Sequence, residues 1–190
     1  MERLDFFKEF VRHPLQIGSV IPSSRFLERR IVTAAAAASA KVVVELGPGT
    51  GGTTRALLRA MRPDAALLSI EINPHFHAAL GRIRDPRLIA HLGSASELRQ
   101  IVSGHGLEAP NAIVSGIPFS TMPRVVALQT LEAVAAVLAP NGHFVAYQVS
   151  RRVRMLCEPL LGPGTEVMEL RNVPPMYVFV WDKRNDATSF

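Results

Sequence analysis

The chain has 190 residues, one cysteine and a formal net charge of +5 that comes mostly from arginine. Its length predicts one domain with a sizeable core, and the single Cys157 excludes an intrachain disulfide and fits a reducing cytoplasm. No apolar run reaches the roughly 18 residues of a membrane span, and the positive charge favours phosphate-bearing partners, either nucleic acid or an anionic membrane surface.

Residues 2–12 have the pattern of an amphipathic helix. Leu4, Phe7 and Val11 share one face, which Phe6 and Phe10 widen, while charged residues of both signs occupy the other face. Such a helix either lies in the headgroup layer of a membrane or packs on the core of its own domain, and the pattern fits both. Because its charges cancel, any attraction to lipid at this helix is mostly hydrophobic.

Residues 13–25 are predicted to form a loop that leads into a second helix. His13 precedes a proline, which ends the first helix, and Ser23 or Ser24 can cap the second. Gly18, Ser19, Ser23 and Ser24 are candidate lid residues over a ligand at the edge of the sheet. For the two later serines, simple helix capping is the alternative.

The sequence K-V-V-V-E-L-G-P-G-T-G-G at residues 41–52 predicts a strand, a glycine turn and a helix. The β-branched run at residues 42–44 suits a buried parallel strand, and residues 53–61 have helical spacing, with Thr50 or Thr53 as the expected cap. Glycines allow positive φ and leave no Cβ in the way of a flat ligand. This arrangement is typical of a nucleotide-binding unit, with Gly47, Gly49 and Gly51 as its cofactor residues.

The glycine spacing G-x-G-x-G differs from the dinucleotide motif G-x-G-x-x-G and from the phosphate-binding P-loop. It has the form of the first motif of class I S-adenosylmethionine-dependent methyltransferases, with Glu45 as the acidic residue before the glycines. Glu71 follows Gly51 by 20 residues, at the end of a second apolar run. A carboxylate at that distance accepts both ribose hydroxyls of a nucleotide. We therefore predict cofactor contacts at Glu45, Glu71 and the adjoining Ile72.

A helix at residues 73–83 and a third strand at residues 88–91 follow. The third strand is closed by Gly93, Ser94 and Ala95, and in this fold the end of that strand contacts adenine. Ser94 and Ala95 are therefore candidate adenine residues, with a plain turn as the equal alternative.

The fourth strand, residues 112–114, is followed by S-G-I-P-F, where class I methyltransferases place the acceptor. The predicted reactive segment consists of Ser115, Gly116, Ile117 and Pro118. We expect Ser115 also to contact the cofactor and Phe119 to contact the substrate. Adenine and cytosine amino-methyltransferases carry Asn or Asp where this chain has Gly116, which counts against a nucleic-acid substrate. A fifth strand at residues 142–149 and a reversed hairpin of residues 167–170 and 176–181 complete a seven-stranded sheet.

Five stretches together resemble the small bacterial phospholipid N-methyltransferases over nearly the whole chain. They are G-S-V-I-P-S-S-R, V-E-L-G-P-G-T-G, I-E-I-N-P, S-G-I-P-F-S-T-M-P and P-P-M-Y-V-F-V-W. These enzymes resemble in turn the rRNA adenine dimethyltransferases, without their extra helical domain. One departure is Ser94, where many relatives carry aspartate.

The resemblance implies an α/β, Rossmann-like class I fold with a mostly parallel seven-stranded sheet and an antiparallel last strand. Residues 1–40 form the N-terminal helices and lid loop, and residues 41–190 form the methyltransferase domain. It also implies methyl transfer from S-adenosylmethionine, leaving S-adenosylhomocysteine, to phosphatidylethanolamine and then to its mono- and dimethyl derivatives, which gives phosphatidylcholine. The alternatives are an RNA adenine methyltransferase and a small-molecule amine methyltransferase.

Three residues are predicted to handle the lipid headgroup. His13 is the candidate base that takes the proton of the amine, although water can suffice. Tyr177 is expected to face the methylated ammonium through cation–π attraction, and Arg184 to pair with the phosphate. A core tyrosine and a solvated tail arginine are the equal alternatives.

We expect a monomer that uses no metal, binds no nucleic acid and lies peripherally on the cytoplasmic face of the cell membrane. The N-terminal helix and two groups of arginines would attach it to anionic lipid. The arginines are Arg25, Arg29, Arg30, Arg151, Arg152 and Arg154.

Overall fold

A computed structural model describes residues 23–183, which form a seven-stranded sheet covered by helices on both faces. The strands are β1 Val42–Leu46, β2 Ala66–Glu71, β3 Leu88–Leu92, β4 Ala112–Ser115, β5 His143–Gln148, β6 Thr165–Glu169 and β7 Met176–Asp182. The helices are α1 Arg25–Ala34, α2 Gly52–Ala60, α3 Pro74–Leu80, α4 Leu98–Gly104, α5 Arg124–Val137 and α6 Arg152–Leu161, with a short 3₁₀ helix at Ala95–Glu97.

The strand order is β3-β2-β1-β4-β5-β7-β6. The first five strands of this order are parallel, whereas β7 runs antiparallel to both β5 and β6. Because the order reverses on either side of β1, the carboxyl ends of β1 and β4 border a crevice in which α/β proteins bind ligands. The predicted Rossmann-like fold and its antiparallel last strand are confirmed.

Strand β1 is buried along its whole length because it lies in the interior of the sheet, between β2 and β4. Val43 packs with Leu27 and Ile31 of α1 and Leu57 of α2 on one face of the sheet. Val44 points to the other face, where the core is built by the helices α4 to α6 and the strands β5 and β7. The continuous apolar run that predicted a buried parallel strand thus supplies both core layers.

Helix ends agree only in part with the sequence predictions. Ser24 caps α1, since its Oγ accepts from the backbone N–H of Leu27 at 3.2 Å, so the capping alternative for this serine is confirmed. The prediction of Thr50 or Thr53 as the cap of α2 is wrong: that helix starts after Gly51 at φ 80°, with no side-chain cap. Backbone N–H groups at this helix start thus remain available to a ligand.

The predicted amphipathic helix at residues 2–12 lies outside the described residues. Among the helices of residues 23–183, none combines the length and apolar character that crossing a membrane requires. Cys157 is fully buried in the hydrophobic core, where it packs as a small apolar side chain.

Candidate active site

The glycine loop after β1 adopts the left-handed conformations that its motif predicts. Gly47, Gly49 and Gly51 have φ of 70°, 56° and 80°, a region that costs other residues free energy. A Cβ on Gly47 would lie 3.1 Å from Cγ1 of Ile117, whereas a Cβ on Gly49 would meet no atom within 4 Å. The backbone at Gly49 therefore borders open space, as a site for a flat ligand requires.

Glu71 joins the end of β2 to this loop. It is 5% exposed, and its Oε2 accepts from the N–H of Gly49 at 3.1 Å while Oε1 accepts from the N–H of Asn73 at 2.8 Å. Burial raises the pKa of this carboxyl, and the backbone donors act in the opposite direction. A carboxylate oxygen accepts more than one hydrogen bond, so Glu71 can hold the loop and still receive ribose hydroxyls. Ile72 follows it, half-buried.

Glu45 lies in β1 below the glycine loop and is completely buried. Its Oε2 accepts from Thr54 Oγ1 at 2.7 Å and from Ser69 Oγ at 2.8 Å, which fastens α2 and β2 to β1. Burial raises the pKa of Glu45 to about 7. Its Oε1 has no hydrogen-bond partner among residues 23–183, and this agrees with the raised pKa, because a buried oxygen without a donor disfavours the charged form.

A cleft opens at the carboxyl ends of β1, β4 and β5. Its walls come from the glycine loop, the turn after β4, the end of β5, the start of α1 and the connection between β6 and β7. The residues that line it include Ser23, Gly49, Gly116, Tyr147, Asn172 and Met176. The structure thus brings together three of the predicted site segments, which lie far apart in sequence.

The S-G-I-P-F turn contributes mainly backbone to this cleft. Gly116 and Pro118 line it, while Ser115 is fully buried and its Oγ accepts from the N–H of Ile117 at 3.3 Å. The carbonyl of Ile117 accepts from Gln148 Nε2 at 2.6 Å. Ser115 therefore shapes the turn through its side chain.

Tyr147, at the end of β5, explains why the turn has glycine at residue 116. A Cβ on Gly116 would collide with the Tyr147 hydroxyl and lie 3.0 Å from the carbonyl oxygen of Gly47. The same hydroxyl lies 3.5 Å from Thr53 Oγ1. Burial, followed by the nearby Glu45 charge, raises the pKa of this phenol. Tyr147 is not among the predicted site residues, although its position at the carboxyl end of a parallel strand is a usable signal.

Asn172 closes the cleft on the side of α1. Its Oδ1 accepts from the N–H of Ser24 at 2.8 Å, and its Nδ2 donates to the carbonyl of Pro174 at 2.8 Å. These bonds hold the β6–β7 connection against the start of α1, beside Ser23 in the cleft wall. No local sequence signal predicts this contact, because its partners are 148 residues apart.

Two predicted substrate residues lie away from the cleft. Phe119 is 2% exposed and packs in the hydrophobic core. Tyr177 follows Met176 on β7, and successive side chains of a strand point to opposite faces of the sheet. Met176 lines the cleft. The Tyr177 ring is on the other face, with its centre 4.6 Å from Cζ of Arg151. The cation–π contact of Tyr177 is therefore with Arg151, and we correct both assignments to structural roles.

Ser94 and Ala95 follow β3 outside the cleft. The Ser94 side chain caps the 3₁₀ helix by accepting from the N–H of Ser96 at 3.3 Å, and Ala95 packs against the core. The turn reading accounts for these contacts, and an adenine contact stays a prediction. His13, Gly18, Ser19 and Arg184 lie outside the described residues. Within residues 23–183, no group of three or more His, Cys, Asp or Glu side chains could hold a metal.

Sequence comparison finds relatives among lipid and RNA methyltransferases. An ornithine lipid N-methyltransferase from Singulisphaera acidiphila is 32% identical over 177 residues, which is 90% of each chain. A ribosomal RNA small subunit methyltransferase A from Leifsonia xyli is 30% identical over 80% of this chain, which spans about half, 51%, of that relative. No protein-family model matches the chain.

Solved methyltransferase structures share the fold at low sequence identity. The N-methyltransferase NodS from Bradyrhizobium japonicum, in complex with S-adenosylhomocysteine, has a TM-score of 0.68 at 13% identity, over 97% of this chain and 100% of that one. The O-methyltransferase TomG from Streptomyces achromogenes, in complex with S-adenosylmethionine, has a TM-score of 0.67 at 16% identity, over 96% and 90%.

The predicted cofactor agrees with these similarities and with the geometry of the site. The open backbone at Gly49, the buried carboxylate of Glu71 and the uncapped start of α2 fit the cofactor's adenosine and methionine parts. S-adenosylmethionine is therefore the cofactor, as the glycine motif predicts.

Proposed function

The chain belongs to the bacterial lipid N-methyltransferases, and on that premise we propose that it transfers methyl groups from S-adenosylmethionine to the headgroup amine of a membrane lipid. The observation that carries this proposal is the similarity to the ornithine lipid enzyme, which extends over nearly the whole of both chains. If the two chains were similar only around the glycine motif, the similarity would support a shared cofactor but not a shared kind of acceptor.

Two headgroups are the candidate acceptors. Phosphatidylethanolamine, with its mono- and dimethyl derivatives, is implied by the sequence motifs, and ornithine lipid is the substrate named for the relative. Both headgroups offer an aliphatic amine. Gly116 supports an acceptor of this type, because no Asn or Asp oxygen stands at this position to hold a planar base amine.

The cofactor supplies a sulfonium-bound methyl group that is already activated for transfer. The protein must hold a neutral amine in line with that methyl group. Such orientation lowers the activation free energy of the transfer by roughly several kcal/mol. Glu71 and the glycine loop would hold the cofactor, while the Gly116 turn and Tyr147 border the space for the amine.

Proton removal falls to water or to residues outside the described part of the chain. Among the cleft residues of the described part, Tyr147 is the only one with an ionisable side chain. Its raised pKa keeps the phenol protonated at neutral pH, so Tyr147 can orient the amine by a hydrogen bond without serving as a base. The proposed base His13 is therefore tested separately, by the pH profile of a His13→Ala variant.

Attachment to the membrane is proposed to be peripheral, with the protein as a monomer on the cytoplasmic face. The structure narrows which arginines are available for this attachment. Arg30 pairs with Glu169 at 2.9 Å, Arg151 with Glu166 at 2.8 Å, and Arg154 with Glu158 and Glu166. The remaining members of the two arginine groups, Arg25, Arg29 and Arg152, make no ion pair with the described residues. They are therefore the better candidates to meet lipid phosphate.

An RNA acceptor is the second candidate, because the RNA methyltransferase similarity covers 80% of this chain. The chain nevertheless spans only half of that relative, and Gly116 stands where base amino-methyltransferases carry Asn or Asp. A small-molecule amine is a third acceptor class to include in the assay.

The proposal is tested by giving the purified protein methyl-labelled S-adenosylmethionine with four acceptors in parallel. These are vesicles with phosphatidylethanolamine, vesicles with ornithine lipid, ribosomal RNA and a soluble amine. We expect label in the extracted lipid, with the faster vesicle identifying the headgroup. Label confined to RNA or to the soluble amine would overturn the proposal.

A further inference from the structure

Three exposed aliphatic side chains lie in the cleft wall or on the connection between β6 and β7 that borders the cleft, and we refer to them as the aliphatic rim. Val149, Leu170 and Val173 are 57%, 69% and 78% exposed. Val149 belongs to the cleft wall, and Val173 lies between Asn172 and Pro174, which both line the cleft. Burial of such side chains against an apolar partner is favourable.

The part of the rim between β6 and β7 has a fixed backbone. Asn172 accepts a hydrogen bond from the N–H of Ser24. Glu169, at the end of β6, is only 2% exposed. The Glu169 carboxylate accepts from Arg30 at 3.0 Å and from the backbone and side chain of Arg171 at 3.0 and 2.9 Å. Leu170 and Val173 are therefore presented to solvent by a connection anchored at both ends.

Positive charge surrounds this part of the rim. The guanidinium groups of Arg25 and Arg171 lie 4.8 Å and 4.2 Å from the ring centre of Phe26. Arg30 and Arg171 both pair with the single carboxylate of Glu169, which therefore compensates only one of the two charges. Arg25, which shares the Phe26 ring with Arg171 and makes no ion pair with the described residues, adds to the excess of positive charge near the connection that carries Leu170.

We infer that the aliphatic rim and these arginines form a docking surface for a bilayer that contains anionic lipid, with the mouth of the cleft turned toward the membrane. Aliphatic side chains enter the boundary between headgroups and acyl chains, while guanidinium groups stay at the level of the phosphates. The inference rests on the proposed function, since a lipid headgroup must reach this cleft. It adds to it the surface and orientation of docking.

The orientation explains how an amphiphile reaches the site. With the rim at the membrane surface, a headgroup can enter the cleft between Val149 and Val173 while its acyl chains remain in the bilayer. A cleft turned away from the membrane would require the whole lipid to be extracted, which exposes apolar chains to water.

Tryptophan fluorescence tests this docking directly. The chain has one tryptophan, Trp181, which is fully buried, so a Val173→Trp variant adds one exposed reporter. We expect its added emission to be quenched by anionic vesicles whose acyl chains carry bromine. A Leu92→Trp variant is the matched control, because Leu92 is 49% exposed on β3, at the opposite edge of the sheet. Equal quenching of both reporters, or of neither, would overturn the inference.

A charge substitution provides the second measurement. The double variant Leu170→Asp and Val173→Asp should bind anionic vesicles at least tenfold more weakly than the wild type in a sedimentation assay, whereas Leu92→Asp should bind normally. Vesicle binding that survives the double variant refutes docking through the rim. If the double variant instead abolishes a dimer seen by analytical ultracentrifugation, the rim binds a second copy of the chain and the inference is wrong.

The docking test and the test of the proposed function fail independently. Quenching of Val173→Trp needs no methyl transfer, so it is scored even if no lipid is methylated. A dissolved short-chain aminolipid supplies the converse control, since the double aspartate variant should lose much more activity on vesicles than on this dissolved lipid.

Discussion

At the scale of single residues, Glu45 makes the folded state sensitive to pH. Its pKa is raised to about 7 by burial, so the native protein holds a proton between about pH 4.5 and 7 that the unfolded chain has lost. The contribution of Glu45 to the free energy of unfolding therefore decreases as the pH rises through that window. The total change corresponds to about 3 kcal/mol, because one pKa unit corresponds to about 1.4 kcal/mol.

A Glu45→Gln variant should remove this pH dependence. We expect its free energy of unfolding, relative to the wild type, to increase by about 3 kcal/mol between about pH 4.5 and 8. Urea denaturation of the cofactor-free proteins measures the difference. The matched control is Glu132→Gln, which removes one carboxylate at an exposed position of α5. A difference between Glu45→Gln and the wild type that stays constant with pH would contradict the assignment.

Glu71 offers a second test at this scale, directed at the cofactor. In Glu71→Gln an NH2 group takes the place of one carboxylate oxygen. The variant therefore lacks a hydrogen-bond acceptor for either the glycine loop or the ribose. Hydrogen bonds to charged groups contribute about 1.5–3 kcal/mol, so calorimetry should show S-adenosylmethionine binding weakened about 10- to 100-fold. Unchanged affinity, as expected for Glu132→Gln, would mean that the ribose is held elsewhere.

The sequence could predict the residues whose role depends on local backbone. The positive φ angles of the glycine loop follow from its spacing, and Glu71 follows from its distance to that loop. Tyr147 and Asn172 were missed because each acts on a residue that only the folded chain brings near. The direction of the Tyr177 side chain could not be predicted either, because it depends on the exact pairing of β7 with β5.

At the scale of elements, the ends of β4 and β5 fit each other through Gly116 and Tyr147. A Gly116→Ala variant should lose about 1–3 kcal/mol of stability, since its Cβ has no room. Removing the ring in Tyr147→Ala should restore part of that loss, so that the double variant is more stable than the sum of the single effects predicts. Thermal or urea unfolding of all four proteins measures this coupling.

Gly104→Ala is the matched control for this cycle. A Cβ at Gly104, the last residue of α4, would meet no atom within 4 Å, so we expect little change in stability. Strictly additive effects of Gly116→Ala and Tyr147→Ala would mean that the two elements do not constrain each other.

The contact between α1 and the β6–β7 connection is a separate element-scale prediction. Asn172→Ala leaves the N–H of Ser24 without its acceptor and should cost about 1–3 kcal/mol of stability. It should also raise KM for vesicular lipid while leaving the affinity for S-adenosylmethionine unchanged, because the glycine loop is untouched. Asn172→Asp keeps the oxygen acceptor and should recover part of both losses. Full activity of Asn172→Ala would show that the contact does not shape the cleft.

Apolar runs and alternation indicated all seven strands, because each strand's pattern is local. The end of a helix was harder to predict: residues 73–83 were expected to form one helix, whereas α3 ends at Leu80. The chain continues there into turns, with Gly81 following the helix end, and such termini depend on tertiary contacts as well as propensity.

At the scale of the whole molecule, the net charge indicates the kind of partner and the fold determines where the site lies. The net charge of +5 indicates an anionic partner, but Arg30, Arg151 and Arg154 already form ion pairs within the structure. The fold places the cofactor loop, the Gly116 turn and the exposed aliphatic rim around one cleft. This arrangement, together with family membership, connects a general methyltransferase fold to a lipid acceptor.

The central claim is that the methyl group reaches the headgroup nitrogen of a lipid. The most direct measurement is tandem mass spectrometry of aminolipid vesicles incubated with the purified protein and S-adenosylmethionine, with Glu71→Gln at limiting cofactor as the control. We predict headgroup fragments heavier by one or more methyl groups, unchanged acyl fragments, and a reduced yield with the variant. Unmodified lipid alongside methylated RNA or a methylated soluble amine would contradict the account.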